Sequence, residues 1–538
     1  MTYLARSLAI GCSVLALAAC GPDEISSPGT GGNITINNPP APAPTPAPSP
    51  TPAPTVTAAA GCPTIADPQG LTDEGTISGP TGEYRVCALP TTIQASTTLP
   101  YNQGILYRLQ GRTDVGCDGG PTAPTAGSPY ASGTPGCGTL TSDSNVTLSI
   151  EPGAILYASG SAFLMVNRGN QIDAEGTMQR PIIFTSRDNV LGLNTDSSSG
   201  QWGGVVLAGR SPVTDCRLPG ATPGTTGCDR QVEGESDPAL FGGASTTGSS
   251  GSMKYVQIRY SGFVLSGDSE LQSLTTGGTG PGTEFDYIMS HNSSDDGVEF
   301  FGGYVNAKHL IVVGAEDDSL DTDTGVKANL QYVIAVQRPG VGDTIIEADS
   351  NNGLENQTPR QNTQISNATF VHNGAEQDQA IRIRGGTDYA IVNSLLVDAT
   401  GGTPCLRIDL PETVQASGAD ENGPLVFNSF VLDCADDFRD GSGGITEAQV
   451  QTIFNNGSNN DANFTNTLSG LFINGANESA VTAFDPTALS SFFDTVDYIG
   501  AVQQSGDDWY QGWTCNSSTV NFGTGNTGNC TSLPIYTS

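Results

Sequence analysis

Histidine is nearly absent from this chain. Three occur in 538 residues, and lysine and arginine together number 20 against 55 acids, for a formal charge of −35. So few imidazoles leave little general-base chemistry of the histidine type. The shortage of basic residues excludes nucleic acid as a partner, because binding phosphate takes basic patches. It also speaks against adhesion to anionic lipid or lipopolysaccharide except through divalent cations. No Cys-x-x-Cys occurs, so thioredoxin-type redox chemistry and zinc ribbons are excluded. Helical periodicity is scarce over most of the chain. What is abundant is glycine, 69 residues, in a chain of low charged fraction.

The N-terminus sets the compartment. Arg6 precedes an apolar run, Leu8 to Leu17, too short to span a bilayer as a permanent helix and followed by small residues, as in a signal peptide over 1–19. The segment Leu17-Ala18-Ala19-Cys20-Gly21 resembles the bacterial lipobox. That resemblance implies that Cys20 is diacylated, becomes the new N-terminus and is then N-acylated, which suffices for stable membrane anchoring. Gly21 resembles an outer-membrane rather than an inner-membrane sorting signal, so the expected location is the bacterial outer membrane, facing the periplasm or the outside. Residues 39–54 read PPAPAPTPAPSPTPAP. They favour polyproline II and reach roughly 50 Å, a stalk within an anchor-and-linker segment over 20–57.

Ten cysteines remain beyond the signal and the anchor: Cys62, Cys87, Cys117, Cys137, Cys216, Cys228, Cys405, Cys434, Cys515 and Cys530. An even number in an exported chain argues for disulfides. Their clustering suggests sequential pairs, each closing a local loop.

From about 140 to 440 the chain is short apolar alternations cut by Gly, Asn and Asp. Aligned, these give YVQIRYSG, FDYIMSHN, AKHLIVVG and LQYVIAVQ, with Ile288, Ile311 and Ile334 spaced 23 apart. A second strand repeats as DDGVEFFGG, DDSLDTDTG, DTIIEADSNNG and QAIRIRGG, placing Val298, Leu320, Ile345 and Ile381 in equivalent positions. A unit of 22–25 residues cannot bury its apolar face alone, so successive units stack in parallel, about 4.8 Å apart, as a solenoid. The periodic positions are β-branched or aromatic and lack the leucine-rich pattern.

The sequence resembles the right-handed parallel β-helix of pectate-lyase-like proteins, and more narrowly a group of bacterial surface lipoproteins of unassigned role. The narrower likeness rests on IEPGAILYASG (150–160), FLMVNRGNQIDAEGT (163–177), QWGGVVLAGRSPV (201–213), DDGVEFFGG (295–303) and DDWYQGWT (507–514). The expected fold is all-β: a disulfide-bonded N-terminal cap over 58–140, a β-helix over 141–440 and a C-terminal cap region over 441–538. Insertions are expected at 213–243, pinned by Cys216 and Cys228, and at 354–364. One short helix is expected in 445–457, where Val450, Ile453 and Phe454 have helical spacing.

Stacking brings acids together. Asp295 and Asp296 should lie near Asp317 and Asp318 of the next coil and near Asp343, with Asp321, Asp323, Glu347 and Asp349 a strand further round. Two carboxylates 4.8 Å apart repel by roughly 3 kcal/mol at an effective dielectric of 20. Calcium, which takes six to eight oxygens, offsets that repulsion; the plainer reading is a solvated ridge whose Asp residues serve turns. An enzyme reading makes Asp295 and Asp296 the acid and base of a hydrolase, or calcium ligands of a lyase, with Arg382 and Arg384 binding a uronate or acting as base. The chain has no Gly-His pair, which resemblance to polygalacturonase-like hydrolases would require. The favoured expectation is therefore a non-catalytic binding or structural β-helix, displaying an acidic face to an extended glycan or an outer-membrane partner. Trp202, Trp509, Tyr510 and Trp513 could stack on sugars, but packing between coils is the stronger expectation.

Overall fold

A computed structural model describes residues 55–536 apart from 233–237, 267–268, 351–352, 376–377 and 416–423. The signal segment, Cys20 and the Pro-rich stalk lie outside the described residues.

Two sheets run the length of the molecule, one of 11 strands and one of 15, and every pairing in their coils is parallel. In the 11-stranded short sheet, Leu274–Gly277, Val298–Phe301, Leu320–Asp323, Ile346–Ala348 and Ile381–Ile383 stack in order. Alternate residues point inward: Val298, Leu320, Ile346 and Ile381 form one ladder, each at most 1% exposed. Burying each stabilises the stack by about 2 kcal/mol, before the entropy of ordering the chain.

The larger sheet is bent. Two separate ladders, one through Gln171–Glu175 and one through Ile182–Ser186, merge on the single strand Gly251–Arg259. From there each coil has one long strand with a leading and a trailing arm. The corner is one residue with positive φ: Tyr255 at 51°, Tyr287 at 56°, His309 at 52°, Tyr332 at 61°, Asn367 at 58° and Asn393 at 49°. Asparagine tolerates this conformation, whereas tyrosine and histidine adopt it at a cost of about 1–2 kcal/mol. Stacking compensates. Tyr255 lies on Tyr287 and Tyr287 on His309, each at 4.2 Å between ring centroids, and His309 lies on Tyr332 at 4.9 Å.

The register corrects two equivalences. Ile311 and Ile334 stack on Met289, not on Ile288, and Leu320 stacks on Ile346, not on Ile345. Coils of unequal length blur the period, and both members of each neighbouring pair are buried, so hydrophobicity alone does not choose between them.

The domain limits move as well. Gly82–Ala88 already pairs in parallel with Ile105–Arg108, which pairs with Ile155–Ala158. The β-helix therefore starts inside the region expected as a cap; the antiparallel strand Thr72–Gly79, together with Val56, Ala59, Cys62, Ile65 and Leu71, closes the first coil. At the other end, helix Glu447–Asn455 sets Phe454 against Phe427, Phe430 and Phe438. A capping box between Thr446 and Gln449 starts this helix.

Beyond the helix the chain is not an end cap. It runs back along the corner, coil by coil. Ser429 Oγ donates to the Thr482 carbonyl at 2.8 Å, Asn393 exchanges bonds with the Phe484 backbone at 2.9 and 2.7 Å, and Asn367 Nδ2 donates to the Tyr498 carbonyl at 3.0 Å. Trp509 packs at a tilt against His309, and Trp513 edge-on to Tyr255 and Tyr287. Arg259, fully buried, donates to the carbonyls of Cys530 and Ser532 at 3.0 Å. Burial lowers its guanidinium to about 10, and the strap's carbonyls, rather than a carboxylate, receive its charge.

All five disulfides follow the sequential order: Cys62 with Cys87, Cys117 with Cys137, Cys216 with Cys228, Cys405 with Cys434 and Cys515 with Cys530. The last closes a loop within the strap, and the third pins the expected insertion.

Candidate functional site: the acidic face of the short sheet

Positions that point outward on the short sheet form a second ladder: Thr275, Glu299, Asp321, Glu347, Arg382 and Arg407, in register. The turn before each strand adds Asp295 and Asp296, then Asp317 and Asp318, then Asp343. Carboxylate oxygens of Asp295, Asp296 and Asp317 lie within 4.8 Å of one another, as do those of Asp317, Asp318 and Asp343. Two further groups, Asp296 with Glu299 and Asp321, and Asp318 with Asp321 and Glu347, meet the same limit. The expected convergence is therefore present. Glu299 was not among the expected acids, although its place in the alternation Val298-Glu299-Phe300 puts it on the same face as Asp321.

The turn aspartates also serve the backbone. Asp296 Oδ1 accepts the N–H of Asp318 at 2.9 Å, and Asp318 Oδ1 accepts the N–H and hydroxyl of Thr344 at 2.7 and 2.5 Å. Each carboxylate thus fastens its coil to the next.

Burial is the main cause of an unusual acidity. Asp296 and Asp318 are each 5% exposed. Desolvation, followed by the charges of Asp295 and Glu299, pushes the Asp296 carboxyl well above the usual range. Asp318 rises by desolvation and then Glu347, and Asp321 by the same two causes. Asp349 is pushed up to about 7 by desolvation, even though Arg384 opposes the shift.

The two arginines are occupied. Arg382 binds Asp409 at 3.0 Å and Glu347 at 3.2 Å, and Arg384 binds Asp349 at 2.7 Å and Glu347 at 3.0 Å. Both neutralise acids of neighbouring coils, which ends the acidic run on one side. The aromatic candidates are buried. Trp202 and Trp513 are 0% exposed, Trp509 9% and Tyr510 4%. Trp202 Nε1 donates to the Arg259 carbonyl at 2.8 Å inside the stack, and the other three hold the strap. None offers a face to a sugar.

Comparison with known proteins gave one match. No curated protein and no solved structure matched the chain. A family model described as a pectate-lyase like beta helix domain matches residues 137–484, more than half of the chain and the whole stretch that carries the acidic ladder. The parallel coils, the register of their inward ladders and this match agree: the chain belongs to the pectate-lyase-like β-helix domain family.

Proposed function

We propose that this is a lipid-anchored envelope protein, held at Cys20 on the bacterial outer membrane. Its β-helix displays a calcium-loaded acidic face to an extended glycan or an outer-membrane partner and catalyses no reaction. The supporting observation is the cluster of carboxyls that burial and mutual repulsion hold above their ordinary pKa. Buried carboxylates are costly unless paired or bound to a metal. Asp321 Oδ1 and Asp349 Oδ1 are buried with no hydrogen-bond partner. An all-oxygen donor set of this charge suits a hard cation such as calcium rather than zinc. Asp295, Asp296, Asp317, Asp318 and Asp343 would hold it, with Glu299, Asp321 and Glu347 beside them. The ion would supply the charge that the sequence withholds.

The alternative, a polysaccharide lyase or hydrolase acting through Asp295, Asp296, Arg382 and Arg384, is less well supported. Both arginines are engaged by carboxylates, and Asp296 is committed to the Asp318 backbone. The deciding experiment incubates the full-length protein in detergent with acidic and neutral polysaccharides, with calcium or with chelator. The expected result is calcium-dependent retention on a polysaccharide or partner without new reducing ends or unsaturated uronate absorbance. Product that vanishes on Asp295→Ala or Arg384→Ala would overturn the reading. Anchoring is tested separately: Cys20→Ser should move the protein from the membrane fraction to the soluble one.

A further inference from the structure

The chain contains three lysines, Lys254, Lys308 and Lys327, and all three lie on one face, the leading arm of the bent sheet. Lys254 pairs across coils with Glu284 at 2.9 Å and Glu175 at 3.3 Å, Lys308 with Asp494 of the strap at 2.7 Å, and His309 with Asp286 at 2.7 Å. In a molecule of charge −35, four acids of this face stand against three lysines. On the rungs of Asn306, Asn329 and Gln364 the outward positions are amides where the short sheet has acids.

Asn306, Asn329 and Gln364 occupy successive rungs, and Asn362 stands beside them. Asn329 Nδ2 donates to Asn306 Oδ1 at 2.8 Å, which leaves the amino group of Asn306 and the carbonyl oxygen of Asn329 on the surface. Among the described residues, the side-chain amides of Asn362 and Gln364 make no hydrogen bond to the protein. The strap forms a wall. Leu489 and Ser490 border a cavity of about 490 Å³ over the amides, and Phe492 borders a second of about 340 Å³ that shares Asn306. Lys308 Nζ lies 5.2 Å from the centre of the Phe492 ring and fixes its position. From the Lys254 rung to the Gln364 rung is four steps of the stack, roughly 19 Å.

We propose that this groove is a second binding site, independent of calcium, for a neutral oligosaccharide. Each side-chain amide offers donors and an acceptor, the pairing that neighbouring hydroxyls satisfy, and a rung repeat presents them at regular intervals to an extended ligand. Lys254 and Lys308 are already paired with acids, so a charged ligand gains little here over a neutral one. An extended peptide is disfavoured, because each rung is already paired on both edges and has no free backbone for strand addition. The Phe492 ring supplies the apolar surface that a sugar face covers.

The test is calorimetry on the full-length protein in detergent. Linear neutral hexasaccharides of glucose, xylose, mannose and galactose are titrated in, with an oligogalacturonate as the charged comparison, each with calcium and with EDTA. We expect one neutral hexasaccharide to bind equally with and without EDTA, and equally to Asp318→Asn. Asn329→Ala should weaken it at least tenfold. Gln364→Ala, whose side chain makes no bond to the protein, should do the same without any consequence for folding. Binding by none of the neutral sugars would overturn the proposal, as would binding that EDTA or Asp318→Asn abolishes or that Gln364→Ala leaves unchanged. A failed groove with an intact calcium response, or the reverse, separates this proposal from the reading of the acidic face.

Discussion

The Asp296 carboxylate reaches across one coil to accept the backbone N–H of Asp318 at 2.9 Å, and Asp318 repeats the gesture toward Thr344 at 2.7 Å. The residues that concentrate negative charge on this face therefore also hold its coils together. On the proposed calcium reading, stability and cation binding share the same oxygens.

The acidity of the face predicts a dependence on pH. Asp296, Asp318 and Asp321 are raised in the folded state, Asp349 to about 7. A carboxyl whose folded pKa exceeds its unfolded value binds its proton more tightly when folded. Its contribution is fully present below pH 4 and is lost as pH rises through the folded pKa. In chelator the thermal midpoint should fall between pH 4 and pH 7, and at pH 7.5 millimolar calcium should restore it. A midpoint that is flat with pH and indifferent to calcium, measured by calorimetry, would sink the metal reading.

Asp318 separates the two roles by substitution. Asp318→Asn keeps an acceptor for Thr344 and removes the charge, so in chelator at pH 7.5 it should melt above the parent and respond less to calcium. Asp318→Ala removes the acceptor as well and should cost about 2 kcal/mol at pH 5. Urea denaturation of both variants at the two pH values checks this.

The strap is held by aromatic packing more than by sheet bonds. Trp513, fully buried against Tyr255 and Tyr287, should cost about 3–5 kcal/mol when changed to Ala. Hydrogen exchange is expected to rise over 482–536 and along the corner, while the short sheet keeps its protection. Uniform loss across the whole molecule would show instead that strap and coils unfold as one unit.

Leu320 is central to the inward ladder of the short sheet, between Val298 and Ile346. Leu320→Ala should destabilise by about 3 kcal/mol, and because each coil touches only its neighbours, protection should fall first in the adjoining rungs. Pulsed hydrogen exchange reads both effects.

The sequence by itself determined the solenoid, because two short apolar alternations repeated at a near-constant interval have no way to bury their faces except by stacking. It also determined the convergence of Asp295, Asp296, Asp317, Asp318 and Asp343, since equivalent turn positions must stack; the disulfide order it only suggested, through the closeness of each cysteine to its partner, and the fold decided it. The tertiary structure decided what depends on contact between distant segments. Ile288 and Met289 are equally apolar, and only the strap packing on the outer side of the trailing arm tells which of them faces the interior. The same strap buries Trp509 and Trp513, meets Asn367 at Gly500, 133 residues further along the chain, and walls the amide groove that local periodicity has no means to reveal. Period and composition are properties of neighbours along the chain. The strap's path is set by the stacked corner of Tyr255, Tyr287, His309 and Tyr332, a surface that exists only once the coils have formed.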